Sequence, residues 1–187
     1  MEWAVDTCTT IVDRAQLIKE LQSYQSVFRE EKEYIHSFID LLKSKDAFQR
    51  THLPGHITGS AWIVNTDQTK VLLVLHAKLN KWLQPGGHAD GDENVLNVAL
   101  REAEEETGIT RLSVINKQIF DLDIHTIPAR KDFVEHLHYD IRYLIRAEET
   151  ETIVVSEESH DVKWIPLKDL ERYNNEPSIL RLKQKLL

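Results

Sequence analysis

Apolar residues recur every three to four positions near the start of the chain, which is the spacing of one face of an α-helix. Two sets show this spacing, the first at Ile11, Ala15, Ile18 and Leu21 and the second at Tyr34, Phe38, Leu41 and Leu42. No glycine or proline precedes Pro54, where the sequence Leu53-Pro54-Gly55 marks a break. The pattern therefore predicts two helices that part around residues 23–26 and form an N-terminal helical extension over residues 1–52.

Beyond this break, apolar and β-branched residues gather in short runs that are typical of β-strands. Two runs, over residues 57–64 and 70–76, flank the turn-forming sequence Asn65-Thr66-Asp67-Gln68-Thr69 and predict a hairpin. Further strands are predicted over residues 111–120, 136–146 and 162–165. Helices are predicted over residues 92–107, with Asp92 as N-cap and Gly108 as the end, and over residues 167–173 and 178–187. This order predicts an α/β domain over residues 53–187, in which a mixed sheet carries helices on both sides.

The predicted helix after Asp92 separates apolar from acidic residues. Its apolar stripe, which would face a core, consists of Leu96, Ala99, Leu100 and Ala103. Glu102, Glu105 and Glu106 follow one another at helical spacing, so their carboxylates converge on a different face. Like charges at this spacing destabilise a helix by roughly a few tenths of a kcal/mol per pair, a penalty that carboxylate-binding Mg²⁺ would reverse. The spacing leaves two interpretations, a solvated acidic face or a cation site.

Charge and composition exclude several classes of function. The net charge of −8, from 23 basic and 31 acidic residues, argues against a general nucleic-acid binder, which needs clustered Lys and Arg. The longest strong apolar run, Val71–Leu75, is far shorter than the roughly 20 residues of a membrane span. The single cysteine, Cys8, excludes an intrachain disulfide and a cysteine-based zinc cluster, so a reducing, cytoplasmic setting is expected.

The segment Gly87–Ile109 contains the pattern G-x5-E-x7-R-E-U-x-E-E-x-G-U, where U is an apolar residue. The residues at its fixed positions are Gly87, Glu93, Arg101, Glu102, Ala103, Glu105, Glu106, Gly108 and Ile109. With each type at about 6% usage, the specified types coincide by chance less than about once in a million chains of this length. The segment resembles the signature of the Nudix hydrolases. The resemblance extends loosely over residues 56–170 and implies the α/β/α sandwich of that family.

The resemblance also implies a role for the polar residues of this motif. The implied ligands of the metal, which is Mg²⁺ with Mn²⁺ as a substitute, are the Gly87 carbonyl, Glu102, Glu105 and Glu106. Arg101 would orient these carboxylates by hydrogen bonds rather than contact the phosphates. Glu93 would be structural and bonded to Arg101.

The base that takes a proton from the attacking water stays open at this point, with Glu102 as one candidate. Many Nudix hydrolases place another glutamate on a loop before an apolar strand that contains tryptophan. In this chain Glu157 and Glu158 stand in that manner before Val162-Lys163-Trp164. We favour Glu158 as a further ligand or the base, with Glu157 next, and the alternative is a solvated acidic loop.

A second group of polar residues, His136, His138 and Asp140, alternates along a predicted strand, so the three side chains share one face. Three interpretations stay open. The face is polar because it meets solvent, or it lines a substrate cleft together with His125, or it forms a metal centre of two histidines and one carboxylate. The Nudix signature itself does not require these histidines.

Several isolated residues have two interpretations each. Trp82 either forms a wall of the substrate site or packs in the core. Arg130, with Lys131 beside it, either contacts a substrate anion or is ordinary surface charge. His52 and His56, which flank Pro54-Gly55, are either ligands or exposed loop histidines, and we expect the second.

The resemblance implies a Mg²⁺-dependent pyrophosphohydrolase that cleaves a nucleoside diphosphate linked to another group, X, or a similar diphosphate, by attack of water at phosphorus. Its partner is a small-molecule substrate, with no membrane involved and a homodimer as the family's expectation. The alternative is a catalytically inactive Nudix-fold module that binds nucleotides or regulates. The isopentenyl diphosphate isomerase branch needs a cysteine beside the site, whereas Cys8 lies in the predicted extension. The identity of the group X stays open. The role of the extension also stays open, as a dimerisation element, a lid or the cover of a sheet edge.

Overall fold

The computed structural model describes residues 13–130 and 133–186, so Cys8 and Lys131 lie outside the described residues. Within these ranges no helix has both the length and the apolar character that a membrane crossing requires. The described chain folds as an eight-stranded sheet with helices packed against it.

The two predicted N-terminal helices are present. Helix α1 (Arg14–Ser23) is capped by the Asp13 side chain, which accepts a hydrogen bond from the Gln16 backbone N–H at 3.0 Å. Helix α2 (Arg29–Leu41) follows after a short extended segment. The helices therefore part close to the predicted position.

The sheet is mixed, as the sequence predicts. Its strands, in chain order, are β1 (Gly55–Val64), β2 (Lys70–His76), β3 (Lys81–Leu83), β4 (Gly86–His88), β5 (Ser113–Val114), β6 (Asp121–Ile127), β7 (His136–Arg146) and β8 (Ser159–Pro166). The remaining elements are helix α3 (Val95–Thr107) after β4, then a 3-10 helix (Leu167–Arg172) and helix α4 (Pro177–Gln184) after β8. Strands β3, β2, β1, β7 and β5 lie in that order, while β4 pairs with β1, β6 with β7 and β8 with β2. Strands β1 and β7 run parallel, and β1 and β2 form the predicted hairpin.

The largest departure from the predicted elements lies between α3 and β7. Of residues 111–120, only Ser113–Val114 pair in the sheet, and the strand β6 was not predicted. Strand β6 buries two aspartates, Asp121 and Asp123, where a strand pattern would carry apolar residues. Arginines from β7 and α4 contact these aspartates, so the burial of the strand depends on partners that are distant in sequence.

Alternate residues of β1 face two separate cores, which makes the fold the α/β/α sandwich that the resemblance implies. Ile57, Ala61 and Ile63 are fully buried in the core that α1, α2 and α3 cover. Trp62 and Val64 are fully buried on the other face, beneath the 3-10 helix and α4. The two faces of the sheet therefore carry different sets of side chains.

The N-terminal extension shares the larger core and covers the edge strand β6. Leu17, Leu21 and Phe38 are buried together with residues of the sheet and of α3. From α2, the buried carboxylate of Glu31 accepts a hydrogen bond from the Leu122 backbone N–H of β6 at 3.0 Å. Of the roles left open for the extension, the described contacts thus show the covering of a sheet edge.

Candidate active site and histidine cluster

Helix α3 carries the glutamates of the motif on the side away from its core face. Its buried residues are Val95, Val98, Ala99, Ala103 and Thr107. The core face is therefore turned from the predicted stripe, and Leu96 and Leu100 are only partly buried. The helix begins later than predicted because Asn94, not Asp92, caps it with its side chain. Gly108 ends it in the left-handed conformation, with φ at 72°, as predicted.

Glu102 and Glu106 reach from α3 to strand β4, which precedes the helix in the motif. A Cβ atom on Gly87 would lie 2.5 Å from a carboxylate oxygen of Glu102, so glycine leaves room for this carboxylate in its observed position. The Gly86 backbone N–H donates to a carboxylate oxygen of Glu106 at 3.5 Å. The backbone at Gly87 and two of the implied ligand carboxylates are therefore adjacent in space.

Arg101 links the same carboxylates from the exposed side of α3. Its guanidinium nitrogen lies 2.8 Å from the carboxylate of Glu102 and 3.3 Å from that of Glu105. It also donates to the His88 carbonyl oxygen at 2.9 Å. The Glu105 side chain is 59% exposed and that of Glu102 is 14% exposed, so the group opens to solvent at Glu105. These contacts agree with an orienting role for Arg101.

The electrostatics of this group favour a bound cation. Burial raises the pKa of Glu106 to about 8, and repulsion by Glu102 and Glu158 adds to the effect of burial, while the Gly86 N–H opposes it. Burial likewise raises the pKa of Glu102, against the charge of Arg101. One arginine leaves several carboxylates uncompensated, and a hard divalent cation that prefers carboxylate oxygens fits this donor set.

The loop before β8 brings Glu158 toward these carboxylates. Its negative charge contributes to the raised pKa of both Glu102 and Glu106. Its backbone carbonyl accepts a hydrogen bond from the Ala77 N–H at 2.9 Å, which ties the loop to the end of β2. Glu158 is thus close enough to these carboxylates to influence their charge, whereas the described contacts of Glu157 show no such influence; both side chains are exposed.

Two arginines of the N-terminal extension hold the loop between β4 and α3, and the sequence analysis missed both. Arg14 donates to the Glu93 carboxylate from Nε at 3.1 Å and from Nη2 at 2.8 Å. Glu93 is therefore bonded to Arg14 rather than to Arg101. Arg50 forms an ion pair with Asp90 in the same loop. Because these partners are distant in sequence, no local pattern could have revealed them.

The face of the sheet opposite α3 carries a group of histidines from four strands. This histidine cluster consists of His56, His88, His125, His136 and His138. Neighbouring rings in it have centroids between 5.0 and 5.4 Å apart. The register of β7 with β1 and β6 brings them together, since His138 pairs with His56 on one side and with His125 on the other.

The burial of this cluster overturns two expectations. His136 is 5% exposed and Asp140 is 2% exposed, so the interpretation of these residues as a solvent-facing surface is wrong. His56 lies within β1 and is fully buried, so it is not an exposed loop histidine. Burial lowers the pKa of His56, His88 and His138, which keeps these three rings neutral at pH 7.

Asp140 does not act with the histidines beside it. Its carboxylate accepts hydrogen bonds from Ser60 Oγ at 2.7 Å and Thr58 Oγ1 at 3.1 Å. It also accepts from Arg142 Nε at 2.8 Å. This carboxylate is therefore engaged within the protein, which argues against the substrate contact predicted for it.

Asp140 belongs instead to a buried Asp–Arg network. The network consists of Asp121, Asp123, Asp140, Arg142 and Arg181. Burial by itself would raise the pKa of Asp123, but Arg142, the hydrogen bond with His125 and Arg181 hold it well below its usual value. The network thus contains its own counter-charges.

The surroundings of Trp82 and Arg130 favour the structural alternatives, which are packing for Trp82 and surface charge for Arg130. Trp82 packs edge-to-face on Tyr173, with ring centroids 5.6 Å apart, and its carbonyl oxygen accepts from Asn174 at 2.8 Å. Arg130 is exposed, and its backbone N–H donates to the Phe133 carbonyl at 2.7 Å. These described contacts do not join either residue to the carboxylates of α3.

Comparisons with known proteins agree with this fold. The family model described as the NUDIX domain matches residues 54–186. The "Probable DHNTP pyrophosphohydrolase" of Lactococcus lactis subsp. cremoris is 30% identical over 132 residues, which are 70% of this chain and 78% of that protein. The asymmetrical bis(5'-nucleosyl)-tetraphosphatase of Rattus norvegicus is 29% identical, over 56% of this chain and 69% of the rat protein.

Solved structures share the same architecture. The Ap4A hydrolase of C. elegans, in a binary complex, superimposes with a TM-score of 0.57 at 20% identity, over 70% of this chain and 93% of that chain. A NUDIX-family hydrolase from Clostridium perfringens superimposes with a TM-score of 0.50 at 26% identity, over 70% of this chain and 95% of that chain.

Proposed function

The chain belongs to the Nudix family of hydrolases, and we propose that it is a Mg²⁺-dependent pyrophosphohydrolase that cleaves a nucleoside diphosphate linked to X by attack of water at phosphorus. The observation that supports this proposal most is the adjacency of Gly87, Glu102 and Glu106, with Glu105 beside them. Hydrolysis of a phosphoanhydride needs neutralised phosphate oxygens and an activated water, and carboxylate-held Mg²⁺ supplies both when bound. An inactive binding module is not favoured, because every carboxylate of the motif is present.

The position of each residue suggests its role in this reaction. Glu102, Glu105, Glu106 and the Gly87 carbonyl would hold the ion, and Arg101 keeps two of these carboxylates oriented. We assign the proton of the attacking water to the Glu158 carboxylate. Glu102 is already held by Arg101 at 2.8 Å, whereas Glu158 approaches from a separate loop. A base must lie within hydrogen-bond reach of the water, either directly or through one further water.

The names of the relatives suggest where a search for the substrate should begin. They are a DHNTP pyrophosphohydrolase and hydrolases of Ap4A or of bis(5'-nucleosyl) tetraphosphates. We therefore propose nucleoside triphosphates and dinucleoside polyphosphates as the first candidates. The cytoplasm is the proposed location, since a chain with one cysteine has no intrachain disulfide to protect.

A substrate panel tests this function. The purified chain is incubated with Mg²⁺ and with nucleoside triphosphates, dinucleoside polyphosphates, ADP-ribose, NADH, CoA and nucleotide sugars, and phosphate release is measured with and without added phosphatase. We expect hydrolysis of at least one class, loss of that hydrolysis in EDTA, and recovery with Mg²⁺ or Mn²⁺. Full activity in excess EDTA would contradict the metal mechanism, and binding without turnover across the panel would favour the regulatory module.

A further inference from the structure

We propose that His56, His136 and His138 form a second metal site, for a divalent transition metal ion of the zinc class, on the face of the sheet opposite the carboxylates of α3. One nitrogen atom from each of these rings lies within 4.8 Å of the others. His56 comes from β1, and the other two come from β7, which runs parallel to it. The site is therefore preformed by strand pairing rather than by a flexible loop.

The hydrogen bonds of two of these rings engage Nδ1 and leave Nε2 available to bind a metal ion. His136 Nδ1 lies 2.8 Å from the Val134 carbonyl oxygen, and His56 Nδ1 lies 3.4 Å from the His52 carbonyl oxygen. A carbonyl oxygen can only accept, so in both rings Nδ1 carries the hydrogen and Nε2 carries the lone pair. Metal-binding histidines usually have this arrangement, in which the second ring N–H donates to a carbonyl or a carboxylate.

Two ring nitrogens of this group lack hydrogen-bond partners among the described residues. His56 Nε2 and His138 Nε2 are both buried and form no hydrogen bond with any of the described residues. A buried polar atom without a partner is unfavourable, and such atoms in native structures call for an explanation. A metal ion bound by these nitrogens would provide one, because one nitrogen of each of the three rings lies within 4.8 Å of the others.

The ligand type selects the class of ion. Imidazole nitrogens suit Zn²⁺, Co²⁺, Ni²⁺ and Cu²⁺, whereas Mg²⁺ takes oxygen ligands, so the site differs in chemistry from the carboxylates of α3. Nitrogens bound to one tetrahedral Zn²⁺ lie about 3.4 Å apart, so shifts of roughly 1 Å would close the site. Three histidine ligands with a fourth position left for water are a known zinc arrangement. Asp140, which the sequence suggested as a ligand here, is replaced by His56.

Metal binding by the purified chain tests this site. The protein is stripped with a chelator, dialysed, and titrated with Zn²⁺ in the presence of excess Mg²⁺, with heat of binding, bound metal per chain and Tm as readouts. We expect one Zn²⁺ per chain and a higher Tm. In His136→Gln and His138→Gln, Zn²⁺ affinity should fall by at least about a hundredfold, since loss of an outer-shell partner alone costs tenfold to a hundredfold.

Two control variants separate this site from the rest of the chain. His36→Gln changes an exposed histidine of α2 and should bind Zn²⁺ as the parent does. Glu105→Gln changes the carboxylate group of α3 and should also keep the single Zn²⁺, so failure of the proposed hydrolase mechanism would not affect this result. If a histidine variant fails to fold, the visible spectrum of the Co²⁺-loaded parent still reports whether the ion has tetrahedral coordination. No Zn²⁺ binding by the parent, an octahedral Co²⁺ spectrum, or binding lost only in Glu105→Gln would overturn the proposal.

Discussion

The acidic residues of α3 and those of β6 and β7 lie on opposite sides of the same sheet and have opposite electrostatics. On α3, burial and mutual repulsion raise the pKa of Glu102 and Glu106, and Arg101 is their close cation among the described contacts. In the buried Asp–Arg network, two arginines contact the aspartates, and the pKa of Asp123 is lowered. Carboxylates thus have close cationic partners in the network, whereas most of those on α3 do not.

This difference distinguishes the carboxylates of α3, which we propose as a binding site, from the buried Asp–Arg network, which is a structural element. Buried charges are tolerated when they are paired and hydrogen-bonded, and the network meets that condition within the chain itself. The carboxylates of α3 do not meet it, which supports the proposal that they bind a cation from solution. We therefore expect substitutions in the network to change stability and substitutions on α3 to change metal binding and activity.

The largest effect is expected from breaking the network. Arg142→Met removes the guanidinium that contacts three buried aspartates and should lower the free energy of unfolding by about 3–5 kcal/mol, measured by urea denaturation. The matched control is Arg172→Met, whose side chain is 81% exposed and which should change stability by no more than about 0.5 kcal/mol. Equal stability of the two variants would show that the network is not required for the fold.

The next effect concerns activity rather than stability. Glu105→Gln keeps the size of the side chain but removes a charge from the proposed metal site, so kcat should fall by about a hundredfold or more. Without metal its Tm should be no lower than that of the parent, because repulsion between neighbouring acids is relieved. Mg²⁺ should raise its Tm less than it raises that of the parent. Glu104→Gln, an exposed acid on the same helix, is the control and should keep its activity; an early-melting but active Glu105→Gln would make Glu105 structural.

A smaller effect is expected at the contact between the extension and the motif. Arg14→Gln breaks the charged hydrogen bonds with Glu93 and should lower the free energy of unfolding by about 1–2 kcal/mol, measured by chemical denaturation. The comparison variant is Arg29→Gln, which breaks an exposed pair with Glu33 and should lose less than about 0.5 kcal/mol. Equal losses in the two variants would mean that the extension does not hold this loop.

A further test concerns the pH dependence of the metal-free protein. The carboxyl group of Glu106 keeps its proton up to about pH 8 in the folded protein but loses it near 4.5 when unfolded. The unfolded chain therefore binds fewer protons between these values, and the free energy of unfolding should fall as the pH rises from about 5 to about 8. Chemical denaturation at several pH values in EDTA measures this slope, which Glu106→Gln should flatten. An unchanged slope in that variant would assign it to other groups.

Local sequence patterns predicted the elements in which neighbours along the chain decide the structure. The hairpin of β1 and β2, the two N-terminal helices and the end of α3 at Gly108 follow from periodicity and turn residues that act within a few positions. Strand β6 was not predicted, because aspartates such as Asp121 and Asp123 are typical of loops. Their partners Arg142 and Arg181 are distant in sequence and meet them only in the folded protein. The alternation of His136 and His138 was visible in the sequence, but the sequence did not show that this face of the strand is directed into the protein.

What the sequence determined by itself was the motif over Gly87–Ile109 and the grouping of its glutamates, because residues three and four apart on a helix must share a face. Only the tertiary structure decided which residues distant in sequence come into contact. Arg14 meets Glu93 and His56 meets His138 because helix packing and parallel strand register bring them together, and neither depends on short sequence spacing. Whether a buried charge or imidazole is paired is likewise a property of the assembled sheet, since burial and counter-charge come from different elements of the fold.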